Sequence, residues 1–328
     1  MQIPKIIECD ALNFLKENTF DIYILNPFSK GFMGHQYKSE IVIDQSMDYD
    51  DVLKMMSDLP DGIKSVLAFG AGSVVDPAKY LSKNLNATLT IIPSALSVNS
   101  FTTHRSSFFD ENINEKRSFD TKAPEVIVLD FSLLETAGVF NTFGIIELSA
   151  TVTAQQDWEL AVENDRDQDN LNIRSRASKL IEQTISLFDT PEGQERLRKI
   201  FNCLLESGLL TQNYGTGRPV SGSEHILSTS LEGKLKCAHG VGLYFGIIIS
   251  SLLHKNLGIE KNKMFDIIPL LLRLSSMKDF IRVNFIKEDV ISALRLTTPK
   301  EGRFTVLNLI TASELQNAID HCCNIIYQ

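Results

Sequence analysis

The chain is short of cysteine, short of basic charge and without any long apolar run, and each shortage argues against a class of function. Its five cysteines, Cys9, Cys203, Cys237, Cys322 and Cys323, are odd in number, scattered and without CxxC spacing, which points to reduced, structural thiols and away from zinc thiolates. Cys237 lies beside His239 and is read as a small buried hydrophobe, with a satellite role at a site there as the alternative. A nucleic-acid binder is expected to show a basic face, and a net charge of −9 argues against one. The most apolar stretch, Val241 to Leu253, falls short of the roughly 20 residues that a spanning helix needs. The opening MQIPKIIECD lacks the charged-then-apolar pattern of an export signal. Repeats and low-complexity tracts are absent. We therefore expect a soluble cytoplasmic protein, with neither nucleic acid nor membrane as partner.

At 43% hydrophobic and 22% charged residues, the 328-residue chain has the composition of a globular protein of about two domains. The first part alternates β-rich and helical segments. Asp21 to Leu25 and Ile41 to Asp44 read as strands, Asp50 to Leu59 as a helix, Ser65 to Phe69 as a strand, Val74 to Leu81 as a helix and Leu89 to Ile92 as a strand. Arg105 to Phe119, with Glu111, Asn112, Asn114 and Glu115 in its middle, reads as a hairpin before a last strand at Val126 to Asp130. Between Asn26 and Ile41, PFSKGFMGHQYK reads as a loop. Alternation of this kind implies a parallel sheet with helices on its faces.

From about Gly144 the β signal gives way to helical periods: Ile145 to Val162, Arg176 to Leu187, Glu195 to Leu210, His225 to Leu231, Val241 to Leu253, Met264 to Leu274 and Leu315 to Ile326. Glu163 to Asn172 is a solvated polar loop. The expected architecture is an α/β domain with a parallel sheet over 1–140 and an all-α helical-bundle domain over 141–328.

Two segments carry chemistry. In SVLAFGAGSVVDPAKY a buried strand runs through a glycine turn into a helix that opens near Ser73, with Asp76 and Pro77 in its first turn. Gly70 and Gly72 let the backbone approach a ligand, and a helix N-terminus presents N–H groups to an anion. No third glycine completes a GxGxxG fingerprint, so a phosphate site and a plain strand-to-helix turn are both open readings. In the helical half, His225 and His239 stand fourteen residues apart, on two helices joined by a turn at Gly233. Imidazoles from separate helices suit a divalent transition metal, with Glu147 or Asp157 as the acid that completes a three-ligand site. Two histidines at this spacing are equally read as hydrogen-bonded core residues.

The blocks FGAGSVVDPAKY, IIPSALSVNSF, GIIELSATVTAQQDWELA, GRPVSGSEH and AHGVGLYFG occur in an order and spacing that resemble the sn-glycerol-1-phosphate dehydrogenases. These sit in the superfamily of iron-containing alcohol dehydrogenases, glycerol dehydrogenases and 3-dehydroquinate synthases. The likeness runs from about residue 60 to 250. It implies a dehydroquinate synthase-like fold, with an α/β N-terminal Rossmann-like dinucleotide-binding domain over 1–140 and an all-α helical-bundle domain over 141–328 that binds metal and substrate. It also implies NAD or NADP across a cleft, and one divalent metal, zinc first, with iron or nickel as alternatives. It also implies that Gly70, Gly72, Ser73 and Asp76 form the pyrophosphate turn and that Pro93, Ser94 and Ser97 lie along the cofactor. Glu147, His225 and His239 would hold the metal and, with Asn99 at the substrate or ribose hydroxyls, form the catalytic set. Arg105 is a candidate for a substrate phosphate.

This chain departs from the dehydrogenase pattern at two acids, with Glu147 and Asn99 where aspartates are usual. Glutamate with two histidines resembles the dehydroquinate synthases, yet the lysine that follows there is Ala150 here, and their DHPKGKN block is missing. The resemblance implies an NAD(P)-linked oxidoreductase acting on a small polyol phosphate, expected as a homo-oligomer. A sugar-phosphate cyclase and a catalytically silent binding protein are the alternatives.

Overall fold

The computed structural model describes residues 3–34, 39–43, 47–110, 115–258 and 266–328. The chain divides into two compact units, Met1–Asn141 with Pro191–Gln212, and Thr142–Thr190 with Asn213–Gln328. The segment Pro191–Gln212 thus packs with the first unit, whereas the sequence reading places it in the helical half.

The first unit is built on β1 (Lys5–Glu8), α1 (Ala11–Glu17), β2 (Ile22–Leu25), α2 (Pro27–Met33), β3 (Glu40–Val42), α3 (Tyr49–Ser57), β4 (Ser65–Gly70), α4 (Gly72–Asn84), β5 (Thr88–Pro93), the hairpin β6 (Arg105–Asp110) and β7 (Glu115–Asp120), β8 (Val126–Leu129) and α5 (Phe131–Glu135). Six strands form a parallel sheet in the order β1-β8-β5-β4-β2-β3. Val66 to Phe69 in the middle of β4 are fully buried. An unbroken apolar run is what a parallel strand covered on both faces requires. The register Gly70↔Pro93 sets the ends of β4 and β5 side by side, so the loops leaving them are neighbours.

The segment expected as a loop contains α2. Asn26 Oδ1 accepts the Ser29 N–H at 2.8 Å, Pro27 occupies the first turn, and Gly34 ends the helix with φ +69°. Those are start and stop signals packed into two turns, too short for a periodic pattern to reveal. The exposed edge strand β1 and the short α1, capped by Asp10, have the same brevity. The hairpin pairs Arg105 with Asp120, while residues 111–114 lie outside the described ones. Its Phe119 stacks on Tyr49 of α3, ring centroids 4.5 Å apart.

Helix α4 opens at Gly72, which places Asp76 and Pro77 in its second turn and not in the first. Its Lys79 is fully buried. The ammonium donates to Ser100 O at 2.7 Å and to the Arg105 carbonyl, and lies 3.0 Å from Asp76 Oδ1. Burial pushes the Lys79 pKa down and Asp76 opposes that shift. The same side chain therefore ties α4 to the loop that follows β5.

The second unit is helical. It comprises most of α6 (Val139–Glu163), then α7 (Leu171–Leu187), the end of α8 (Gln194–Tyr214), α9 (Ser223–Leu235), α10 (His239–Asn256), α11 (Ile268–Leu271), α12 (Ser275–Asn284), α13 (Lys287–Leu294) and α14 (Ala312–Tyr327). Helix α10 is buried on nearly every face from Gly240 to Ser251, as a helix that is apolar all round must be. Where the sequence suggests a helix over Met264 to Leu274, the described residues contain the single turn α11, and 264–265 lie outside them. Gly233 lies inside α9, and the turn is made at Lys236, in the left-handed region with φ 50°. Among the described residues no helix is long and apolar enough to cross a membrane.

Replacing Lys79 by Met leaves the half-buried Asp76 carboxylate without its cation, and we expect a loss of about 3 kcal/mol in unfolding free energy. Urea denaturation followed by circular dichroism measures it; an unchanged midpoint would show that Lys79 is not the tie described.

Candidate metal centre

Three close approaches assemble the centre, all at glycines of α10. A Cβ on Gly240 would lie 2.3 Å from Cγ of Phe143, which precedes Glu147 by one turn on α6. A Cβ on Gly242 would lie 2.3 Å from the Ser228 hydroxyl and 3.0 Å from its Cα, and one on Gly246 would lie 2.3 Å from the Glu224 carbonyl. Real Cβ atoms do not enter such space, so only glycine lets α6 and α9 come this near to α10. The tight turn at Lys236, whose N–H bonds to Glu232 O at 3.0 Å, brings α10 back along α9 and opens it at His239.

The outcome is a cluster of Glu147, His225 and His239, with one ligand atom of each within 4.8 Å of the others. His239 Nε2 lies 3.3 Å from Glu147 Oε2, and the two imidazole rings are 5.3 Å apart. Glu147 is buried and both histidines are partly open to solvent. Nδ1 of His225 lies 2.8 Å from Glu224 Oε1, and Nδ1 of His239 lies 2.8 Å from Glu232 Oε1. Two imidazoles and a carboxylate, with one side accessible, are a donor set that fits a divalent transition ion with room for a further ligand. Cys237 is half-buried in the turn and is not in the cluster.

Asp157, the other acid considered, does a different job. It sits ten residues beyond Glu147, about 15 Å further along the same helix at 1.5 Å per residue. There it lies fully buried with His254 Nε2 at 3.0 Å, and accepts the N–H groups of Ser223 at 2.6 Å and Val306 at 2.7 Å. Burial alone raises the Asp157 pKa, but the charge and hydrogen bond of His254 and the Ser223 donors outweigh it and hold the carboxyl below the usual range. Asp157 thereby anchors the start of α9, two residues before His225. Its neighbour Arg218 forms an ion pair with Asp167 at 2.9 Å and donates to the Asp157 carbonyl.

In the first unit, Gly70, Gly72 and Ser73 surround the N-terminus of α4, and Ser94 N–H donates to Gly70 O at 3.0 Å, which joins Pro93, Ser94 and the glycine turn. Packing alone demands glycine at 70, since a Cβ would lie 2.7 Å from Val74 Cγ2. At Gly72 a Cβ would meet Val98 Cγ2 at 3.2 Å. Asp76 is turned to Lys79, as described above. Ser97 is half-buried, and the Asn99 amide donates to Ser207 Oγ at 2.9 Å. Arg105 is held across the hairpin by Asp120 Oδ1 at 2.5 Å and Ser118 Oγ at 3.0 Å.

Residues 10–138 match the sequence profile of a family described as iron-containing alcohol dehydrogenase. A glycerol-1-phosphate dehydrogenase [NAD(P)+] from Caldivirga maquilingensis is 27% identical over 295 residues, covering 86% of this chain and 82% of that one. Its counterpart from Pyrococcus horikoshii is 26% identical over 268 residues, covering 79% and 74%. The chain is thus similar to the glycerol-1-phosphate dehydrogenases over most of its length, and its first part to the iron-containing alcohol dehydrogenases. A probable glycerol dehydrogenase from Sinorhizobium meliloti shares the fold, with a TM-score of 0.70 at 15% identity over 99% of this chain and 98% of that one. Beside the cluster, Glu224 and Glu232 are carboxylates that the sequence reading missed. Glu224 stands next to His225 in SEH and Glu232 lies on the same helix, and those were the signals available.

A Gly242→Val substitution forces α9 and α10 apart at Ser228, and the expected outcome is loss of bound metal together with a lower melting temperature. Metal content by mass spectrometry against calorimetry checks it; full metal occupancy in a folded variant would show that the close approach is not what assembles the cluster.

Proposed function

We propose that the chain is a metal-dependent, NAD(P)-linked oxidoreductase that interconverts a small polyol phosphate and its ketone. The observation that carries this reading is the convergence of Glu147, His225 and His239 in a relative of the glycerol-1-phosphate dehydrogenases. When bound, a divalent ion supplies Lewis acidity toward an alcohol oxygen, and a nicotinamide supplies the hydride acceptor. Glu147 brings one negative charge and the histidines bring neutral nitrogen donors. Zinc fits this mixed nitrogen and oxygen set, as do iron and nickel.

The cofactor end rests on the first unit. The α4 N-terminus offers the N–H groups of Gly72 and Ser73 to a pyrophosphate, with Pro93, Ser94, Ser97 and Asn99 along the neighbouring loop. Glu147 is one methylene longer than aspartate, so the bound ion would sit further from α6, and we expect this to alter substrate choice more than metal uptake. Glutamate at this position also supports a second reading, a sugar-phosphate cyclase that oxidises and re-reduces its substrate on a retained NAD.

Elemental analysis of purified protein, with a His225→Ala control, tests the centre: the wild type is expected to carry about one ion per chain and the control at least tenfold less. A screen of phosphorylated polyols and ketoses for net change in NAD(P)H separates the readings, because a cyclase gives product with no net turnover of NADH. A metal-free wild type would leave the silent binding protein.

Ser73→Asp places a negative charge at the mouth of the glycine turn, where a helix N-terminus tolerates it, so the fold is expected to persist. NAD(P) affinity should fall at least about tenfold by like-charge repulsion with the pyrophosphate. Isothermal titration checks this, and undiminished affinity would move the pyrophosphate elsewhere.

A further inference from the structure

We infer that Glu224 and Glu232 are positioning residues of the metal centre, each holding one imidazole by its Nδ1 so that Nε2 is the atom presented to the ion. The inference rests on the metal reading above. An ionised carboxylate has only acceptors to offer, so a ring nitrogen 2.8 Å from it must carry the proton, and the lone pair is left on the other nitrogen. For His239 that other nitrogen is the one found 3.3 Å from Glu147 Oε2.

The two carboxylates are held in turn, and differently. Glu224 is fully buried, accepts the Gly222 N–H at 2.5 Å on the oxygen that meets His225, and accepts the Thr153 hydroxyl of α6 at 2.7 Å on the other. Glu232 is less enclosed and takes the Ser228 hydroxyl at 2.7 Å. Ser228 is the residue against which Gly242 packs. The chain Ser228, Glu232, His239 therefore links α9 to the first residue of α10, whereas Glu224 holds the histidine next to it on its own helix. Loss of Glu232 removes the carboxylate that holds the His239 ring, and the buried Ser228 hydroxyl that it also accepts keeps the His239 carbonyl as another acceptor at 3.5 Å. Loss of Glu224 strands the Gly222 N–H in the core and takes an acceptor from Thr153, so Glu232 is the better probe.

The test compares wild type, Glu232→Ala and Glu232→Gln, with zinc as the probe. Competition against a chromophoric chelator should show zinc held about 10- to 100-fold less tightly by the alanine variant, the usual effect of removing such an outer partner. Glutamine keeps an oxygen that can accept from Nδ1–H, and should restore most of the affinity. Nitrogen-15 spectra of the metal-free protein should show His239 with its proton on Nδ1 in wild type and the glutamine variant and not in the alanine variant. The melting temperature of metal-free protein should not change, which separates positioning from a structural role. Zinc affinity within about twofold of wild type in the alanine variant, or a His239 proton on Nε2 in wild type, would overturn the role given to Glu232 while leaving the metal reading in place. A wild type that takes up no zinc would remove both.

Discussion

The close approach of α9 to α10 is the constraint on which the centre depends. Gly242 and Gly246 lie one turn apart on α10, facing Ser228 and Glu224, which lie one turn apart on α9 and run the other way. Antiparallel contact at backbone distance sets His239, at the start of α10, beside the end of α9 that carries Glu232. Gly240 repeats the device toward α6, where Phe143 fills the space and Glu147 follows one turn on. The glycines of α10 are in the fold a packing surface. It costs helix propensity and gives in return the small interhelical distance at which Glu147, His225 and His239 come together.

A second, dry network fixes the other end of α9. Asp157 accepts the Ser223 N–H and pairs with His254, and the Ser223 hydroxyl meets Ser250 at 2.8 Å. A carboxylate at a helix N-terminus satisfies donors that the helix leaves over and suits its dipole. Because this end is held by buried charge and the other by the turn at Lys236, His225 and Glu232 sit on a helix with little freedom to shift. The buried Asp157–His254 contact and the partly open cluster thus share one helix pair, with opposite exposure and different work.

In the first unit a lysine plays the corresponding part. Lys79 on α4 donates to Ser100 and Arg105, so the loop bearing Ser97 and Asn99 is tied to the helix whose start faces the glycine turn. Asp76 supports that lysine, which is why its carboxylate is turned along the helix and not toward the turn. Gly70 is glycine because Val74 occupies the space its Cβ would need, whatever binds nearby.

The α/β alternation, the buried strand Val66 to Phe69, the long helices and the two histidines with their candidate acids were legible in the linear chain, since periodicity and residue type are local properties. Short elements were not: α2 is announced by Asn26, Pro27 and Gly34 but spans only two turns, and β1 is an exposed edge with no alternation to detect. Likewise, spacing alone offered both Glu147 and Asp157 to the two histidines, and only the family resemblance pointed to Glu147. That choice is made by which level of α6 lies against the start of α10, a distance set by Phe143 meeting Gly240, and by the burial of His254 opposite Asp157. The sequence by itself determined the donors and the helices that carry them. Only the tertiary structure decided which acid joins them and which carboxylates stand behind the rings, because residues far apart in the chain meet only where packing permits the approach.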